Sequence, residues 1–253
     1  MITVVSDEVW NERTAAGYDE SAASRPSAAA PRAHTCPSPA WPPTAGRFEF
    51  AIGTGRVAIA LRERGLTVAG IEKSAPMADV LRAKPTADEI EVVIGDMAAA
   101  TAPGKFDLVY VVYNAISCLL TQAEQVACFR NAARHLRPGG QFVVELWVPD
   151  LQRLPPGAIA QPFHISEHRA GFDTYDLLHQ RVVSHHYWFG DGKVGTFQSP
   201  HRYVWPSELD LMGELAGLSL AGRWADWTRA EFTADSRSHV SVWAKPAGDL
   251  PSR

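Results

Sequence analysis

Cysteine is scarce: Cys36, Cys118 and Cys128 are the only three in 253 residues. They form no C-x-x-C pair, which removes the usual signature of a zinc ribbon or a redox dithiol, and an odd number leaves one thiol over. Free thiols suit a reducing compartment, so a cytoplasmic protein is expected. An excess of positive charge is missing too. The 24 Lys and Arg stand against 28 Asp and Glu, for a net charge of −4. Little electrostatic drive toward a phosphate backbone follows, and no nucleic-acid partner is expected. Long apolar runs are absent as well. The most apolar stretch, Leu108 to Leu120, is broken by Asn114 and Ser117 and falls short of the roughly 20 apolar residues a spanning helix needs. No membrane partner is expected. Residues Met1 to Glu8 lack a basic n-region and a long apolar h-region, so no signal peptide is expected either. No repeat recurs along the chain, and no cluster such as H-E-x-x-H points to a metal.

What is present divides into three textures. Residues 1–21 read as a helical lead with Val9, Trp10, Ala15, Ala16 and Tyr18 available to pack. Residues 22–46 hold eight Ala and six Pro but no Val, Ile, Leu, Met or Phe. Such a segment offers too little apolar surface to offset its ordering entropy, and a loose loop is expected. From Arg47 to the C-terminus, residues 47–253, the chain reads as one α/β domain. Apolar runs alternate there with amphipathic stretches in the manner of a parallel sheet covered by helices. Strands are expected at Phe48–Ile52, Thr67–Ile71, Ile90–Ile94, Phe106–Tyr113 and Gln141–Val148. Helices fall between them, one of them capped by Ser74 and the longest spanning Gln122–Leu136. Past Asp150 the alternation stops. Arg181–Phe189 and Lys193–Trp205 read as antiparallel strands across Gly190-Asp191-Gly192. A helix from Ser207 and two last strands, Leu218–Trp224 and Ser238–Trp243, complete the pattern. Residues 151–205 thus form an insertion in the sheet domain.

The chemistry concentrates where the first two strands end. Glu49-Phe50-Ala51-Ile52-Gly53-Thr54-Gly55 leaves the first strand, and Glu72 ends the second. In a doubly wound sheet these ends are neighbours at the carboxyl edge, where ligands bind. A glycine turn admits close backbone approach, and a carboxylate at the next strand end accepts from both hydroxyls of a ribose. A nucleoside cofactor follows. A dinucleotide fingerprint puts a third glycine inside the helix, whereas Ala58 stands there. Glu49 has little to do beside a pyrophosphate but can meet an ammonium group.

Residues 47–150 resemble the class I S-adenosylmethionine-dependent methyltransferases, motif after motif. Glu49 to Gly55 resembles the acid-x-Gly-x-Gly-x-Gly loop, and Gly70-Ile71-Glu72-Lys73-Ser74 the ribose-binding acid with a helix cap. Gly95-Asp96-Met97 resembles the adenine contact, Phe106-Asp107-Leu108-Val109 the fourth strand, and Arg137-Pro138-Gly139-Gly140 the turn into the fifth. The resemblance implies a Rossmann-like, seven-stranded α/β fold with an antiparallel insertion on the acceptor side. It implies S-adenosyl-L-methionine as cofactor, S-adenosyl-L-homocysteine as product and a small molecule as methyl acceptor on N, O or C. By the same analogy Glu72, with Lys73 beside it, takes the ribose hydroxyls, Asp96 the adenine amino group, and Met97 covers the ring. Glu49, Ala51, Gly53 and Gly55 adjoin the methionine part, Tyr113 and Asn114 face the reacting centre, and Tyr18 lies over the cofactor. Ala51 replaces the first glycine of the loop, which a negative φ tolerates.

An acceptor hydroxyl or ammonium needs a proton acceptor. His185, His186, His201 and Tyr203 on the expected hairpin are the candidates. His185 and His186 are adjacent in a strand and point to opposite faces, so they do not share one ion. Two other readings stand beside this one: an NAD-dependent oxidoreductase in which Glu72 holds the adenosine ribose, and an inactive domain that binds adenosyl ligands.

Overall fold

The computed structural model describes residues 9–23, 46–190 and 192–248. Helix α1 (Glu12–Ala23) carries the lead past its expected end. The rest of the Ala/Pro-rich segment, 24–45, including the expected loop, lies outside the described residues. From Arg47 the alternation folds as β1 (Arg47–Phe50), α2 (Arg56–Arg62), β2 (Val68–Glu72), α3 (Ala75–Arg82), β3 (Glu91–Ile94), β4 (Phe106–Val111), α4 (Gln122–His135) and β5 (Leu136–Trp147). Ser74 caps α3, its Oγ accepting from Met77 N at 3.2 Å. Thr121 and Glu124 form a reciprocal capping box at α4, which satisfies two amides left open by the first turn.

After the insertion come α5 (Pro206–Leu215), β10 (Ser219–Trp224) and β11 (Ser238–Ala244). The large sheet has the order β10-β11-β5-β4-β1-β2-β3. Pairs β1–β2, β2–β3, β1–β4 and β4–β5 are parallel, and β11 runs antiparallel to both β5 and β10. The order reverses between β1 and β4, so their carboxyl ends open a crevice between oppositely directed crossovers. Strands buried on both faces explain the unbroken apolar runs. One face packs Phe48, Phe50 and Phe142 against Phe129 of α4 and Trp243. The other packs Ile52, Leu108 and Tyr110 against Val57, Leu61 and Leu81. At the amino edge Asp107 accepts from Gly46 N and Arg137 Nη1, both at 2.9 Å, pinning the starts of β1 and β5.

Four more strands, β6 (Ala160–Ile165), β7 (Arg169–Asp176), β8 (Arg181–Gly190) and β9 (Lys193–Arg202), make a separate antiparallel sheet in sequence order. Two of these, β8 and β9, match the expected hairpin. Strands β6 and β7 lie outside the expected pattern, because Pro162, Gly171 and a bulge at Pro162/His164 interrupt their alternation. Register places Asp173, Ser184 and Ser199 opposite one another across β7, β8 and β9. Side chains alternate across a strand, so these three share a face with Tyr175, His186, Phe197 and His201. Buried Arg202 ties this sheet to the helices: its guanidinium donates to Gln125 Oε1 on α4 at 2.5 Å and Glu208 Oε1 on α5 at 2.7 Å.

Candidate active site

The crevice at β1 and β4 opens into a cavity of about 860 Å³ that extends to the small sheet. Glu49, in β1, is buried and accepts from Tyr110 Oη at 3.0 Å. Burial raises its carboxyl to about 8, against the opposing pull of the Tyr110 hydrogen bond and the Arg56 charge. The loop that follows turns through three left-handed residues, Ala51 (φ 53), Gly53 (φ 58) and Gly55 (φ 77). The negative φ that would make an alanine easy there is therefore not what the turn adopts. A methyl-bearing residue holds a conformation that glycine adopts freely and alanine resists. Gly53 lines the cavity but Gly55 does not. A Cβ on Gly55 would stand 2.7 Å from Leu81 Cδ1, so Gly55 allows α2 to pack on α3.

Glu72 reaches back under the loop. Its two oxygens accept from Gly53 N and Ser74 N, each at 2.8 Å, while burial raises its pKa. Asp96 Oδ1 accepts from Ala98 N at 2.8 Å, and its other oxygen lies 3.4 Å from Lys73 Nζ. Met97 is buried beside it and also lines the cavity. Beyond β4, Tyr113 (φ 53) and Asn114 (φ 63) are consecutive left-handed residues, a strained conformation for an aromatic side chain. Glu145 on β5 holds Tyr113 N at 3.0 Å, and Asn114 Oδ1 takes Trp147 N at 2.8 Å. Arg56, absent from the sequence reading, opens α2 beside Tyr18 and Tyr113. Its guanidinium lies 5.0 Å and 4.1 Å from the two ring centroids. The signal was its place, the first helical residue after a glycine turn. Asp19 ties α1 to the loop through Thr54 Oγ1 and Lys84 Nζ, both at 2.5 Å, which sets Tyr18 at the cavity.

On the small sheet, His186 and His201 line the cavity; His185 and Tyr203 do not. His185 faces the opposite side, stacked on Phe172 at 4.8 Å and bonded to Thr174 Oγ1 at 2.9 Å. Tyr203 lies beyond the end of β9 with 2% of its surface exposed. Both are withdrawn as candidates, the first by strand alternation and the second by burial. His201 sits between Ser117 Oγ (3.0 Å from Nδ1) and Ser199 Oγ (2.5 Å from Nε2). Ser117 donates its hydrogen to Asn114 O at 2.7 Å, so its oxygen accepts from Nδ1–H. Nε2 is then the acceptor for the Ser199 hydroxyl. Asp173, also missed from sequence because β7 was missed, lines the same wall. Among the described residues no group of three or more His, Cys, Asp or Glu is placed to hold a metal ion. No described helix is long and apolar enough to cross a membrane.

A family model described as a methyltransferase domain matches residues 48–140. The solved CcbJ methyltransferase from Streptomyces caelestis is 33% identical, with 96% of this chain and 100% of that chain covered at a TM-score of 0.83. The chain belongs to the class I S-adenosylmethionine-dependent methyltransferases. The cypemycin N-terminal methyltransferase of a Streptomyces species is 29% identical to this methyltransferase over 198 residues, 77% of this chain and 81% of that one. An amino pentose methyltransferase from Micromonospora echinaspora, solved with S-adenosylmethionine bound, shares the fold. It is 20% identical at a TM-score of 0.62, over 93% of this chain and 91% of its own. The cofactor of this enzyme is S-adenosylmethionine, and the nicotinamide and inactive readings fall away. The site fits that ligand: two buried acids, Glu49 and Glu72, the partly exposed Asp96, a left-handed glycine and an arginine flanked by tyrosines surround one cavity large enough to hold it.

Proposed function

We propose that this methyltransferase alkylates a nitrogen of a small molecule seated between the sheet edge and the small antiparallel sheet. One observation carries the reading: the motif residues Glu49, Gly53, Glu72 and Asp96 and the wall residues Ser199 and His201 line a single cavity. Donor and acceptor can therefore meet without crossing solvent. Nitrogen is supported by the cypemycin relative, whose name assigns it an N-terminal methylation, because a peptide N-terminus is an amine. Two described cysteines are free, which supports a cytoplasmic setting.

When bound, S-adenosylmethionine supplies a methyl carbon already activated by a sulfonium. The chain's work is to place the two molecules, exclude water and accept a proton. Glu72 takes the ribose diol, since each of its oxygens, already accepting one amide, keeps a further lone pair. Asp96 takes the adenine amino group, with Met97 against the ring and Lys73 at its edge. Glu49 answers the methionine ammonium, and Arg56 its carboxylate. Ala51, Gly53, Tyr113, Asn114 and Tyr18 shape the space around the sulfur. His201 is the proton acceptor through Ser199: as the hydroxyl takes the acceptor's proton it passes its own to Nε2.

Calorimetric titration with S-adenosylhomocysteine tests the cofactor roles. Micromolar binding is expected, weakened about tenfold or more in Glu72→Ala and absent with NAD. Arg56→Ala is expected to weaken S-adenosylhomocysteine while leaving 5′-methylthioadenosine, which has no carboxylate, unchanged. Equal losses for both ligands would remove Arg56 from the carboxylate role.

A further inference from the structure

We propose that Asp173 holds the methyl acceptor as a cation, so that the enzyme selects a protonated amine carried on a polar body. The inference rests on the methyltransferase reading and adds to it the charge state of the acceptor and the residue that reads it. Asp173 lies on the inner face of β7 and lines the cavity that the cofactor residues share. Its partners are neutral hydroxyls: Ser184 Oγ donates to Oδ1 at 2.6 Å, and Tyr175 adds a second bond. Among the described residues no Lys or Arg forms an ion pair with it. The charge nearest to it in effect is His185, which faces the other side of the sheet.

Of the other acids that line the cavity, Glu49 and Glu72 belong to the cofactor side and Glu124 to the α4 capping box, while two are matched by cations. Asp150 pairs with Arg237 at 2.6 Å and Arg153 at 3.1 Å, and Asp96 pairs with Lys73. Among the described residues Asp173 is the acid that the small sheet itself contributes to this cavity, and no Lys or Arg pairs with it. A half-buried carboxylate held by neutral donors attracts a ligand cation more strongly than one in water, because the surrounding dielectric is lower.

The wall around Asp173 also describes the rest of the acceptor. Ser184 and Ser199 stand in line with it across two strand spacings, and Ser199 continues into His201. That row offers hydroxyl and imidazole partners to a ligand bearing several oxygens or amides. Phe163 and Phe197 flank His186, with centroids at 5.1 Å and 5.8 Å, and give the row an apolar border. An aliphatic ligand with one ammonium and a hydroxylated or amide-bearing frame matches this surface. A flat apolar ligand does not.

Affinity selection by mass spectrometry tests the assignment on the full chain saturated with S-adenosylhomocysteine. The probes are matched pairs: D-glucosamine with D-glucose, and a set of primary and secondary amino sugars and dipeptide amides, each with its hydroxyl or N-acetyl counterpart. Amines are expected to be retained about tenfold or more over their neutral partners, with that preference lost in Asp173→Asn and restored in Asp173→Glu. Unchanged S-adenosylhomocysteine binding by Asp173→Asn shows that the variant is folded. Neutral partners retained equally, amines held equally by Asp173→Asn, or no amine retained at all would each overturn the inference while the cofactor reading stands. A wild-type chain that fails to take S-adenosylhomocysteine overturns the reading beneath and the inference with it.

Discussion

Glu49 is largely neutral at pH 7, since burial lifts its carboxyl to about 8. A ligand ammonium set against it reverses that preference and expels the proton. S-adenosylhomocysteine binding at pH 7 is therefore expected to release on the order of one proton per site. Calorimetry in two buffers of different protonation heat reads that number, and Glu49→Gln is expected to bring it to zero. Proton uptake, or no exchange in the wild type, removes Glu49 from the ammonium. The place of the acids Glu49, Glu72 and Asp96 at the cavity was legible in the sequence because a doubly wound fold gives strand ends a fixed place at the carboxyl edge. Arg56 was not legible, since an arginine opening a helix reads as surface until Tyr18 and Tyr113 are seen to flank it. Ala51 shows a third case. An alanine is easy at that place only with negative φ, and the turn between β1 and α2 imposes the opposite sign.

Arg202 decides how the small sheet meets the large one. Its guanidinium joins Gln125, Gln180 and Glu208 from three different segments, and 5% of its side chain is exposed. Removing it leaves Glu208 without its cation, so Arg202→Met is expected to cost about 3 kcal/mol in urea unfolding. A loss under about 1 kcal/mol would mean that the network is solvated and idle. Burial pushes the Glu208 carboxyl up, but bonds from Arg202, Gln122 and Gln180 outweigh it and leave the pKa below 4.5. That contribution is present above pH 4.5 and fades as pH falls through the folded value. At the scale of elements the parallel strands announced themselves as apolar runs, because both of their faces are covered. Strands β6 and β7 did not, because Pro162, Gly171 and the bulge at Pro162/His164 break their alternation, whereas β8 and β9 of the same sheet keep theirs.

For the molecule as a whole, His239 sets the acid limb of stability. It is fully buried at β11, and burial first, then the Arg223 charge, lowers it from 6.5 to about 3. The folded chain refuses a proton that the unfolded chain accepts, so stability is lost as pH falls from 6.5 toward 3. Between pH 7 and pH 5 the expected loss from this residue is about 2 kcal/mol. Thermal unfolding of wild type and His239→Gln across that interval reads it, and parallel pH profiles for the two would exclude the assignment. Glu49 acts with the opposite sign, because its folded pKa is raised: its contribution is complete below pH 4.5 and is lost as pH rises through about 8. Stability should therefore peak between these limits.

The cavity wall opposite the large sheet is drawn from one uninterrupted stretch of chain, leaving the large sheet after Trp147 and ending at Arg202, before α5 and the return at β10. The donor side is drawn from β1 to β4 and their loops. A lineage can exchange the stretch up to Arg202, keep that arginine as its clasp, and inherit the donor side while its appetite changes. A single crossover on each side of four strands is enough to hand the same methyl group to a different recipient.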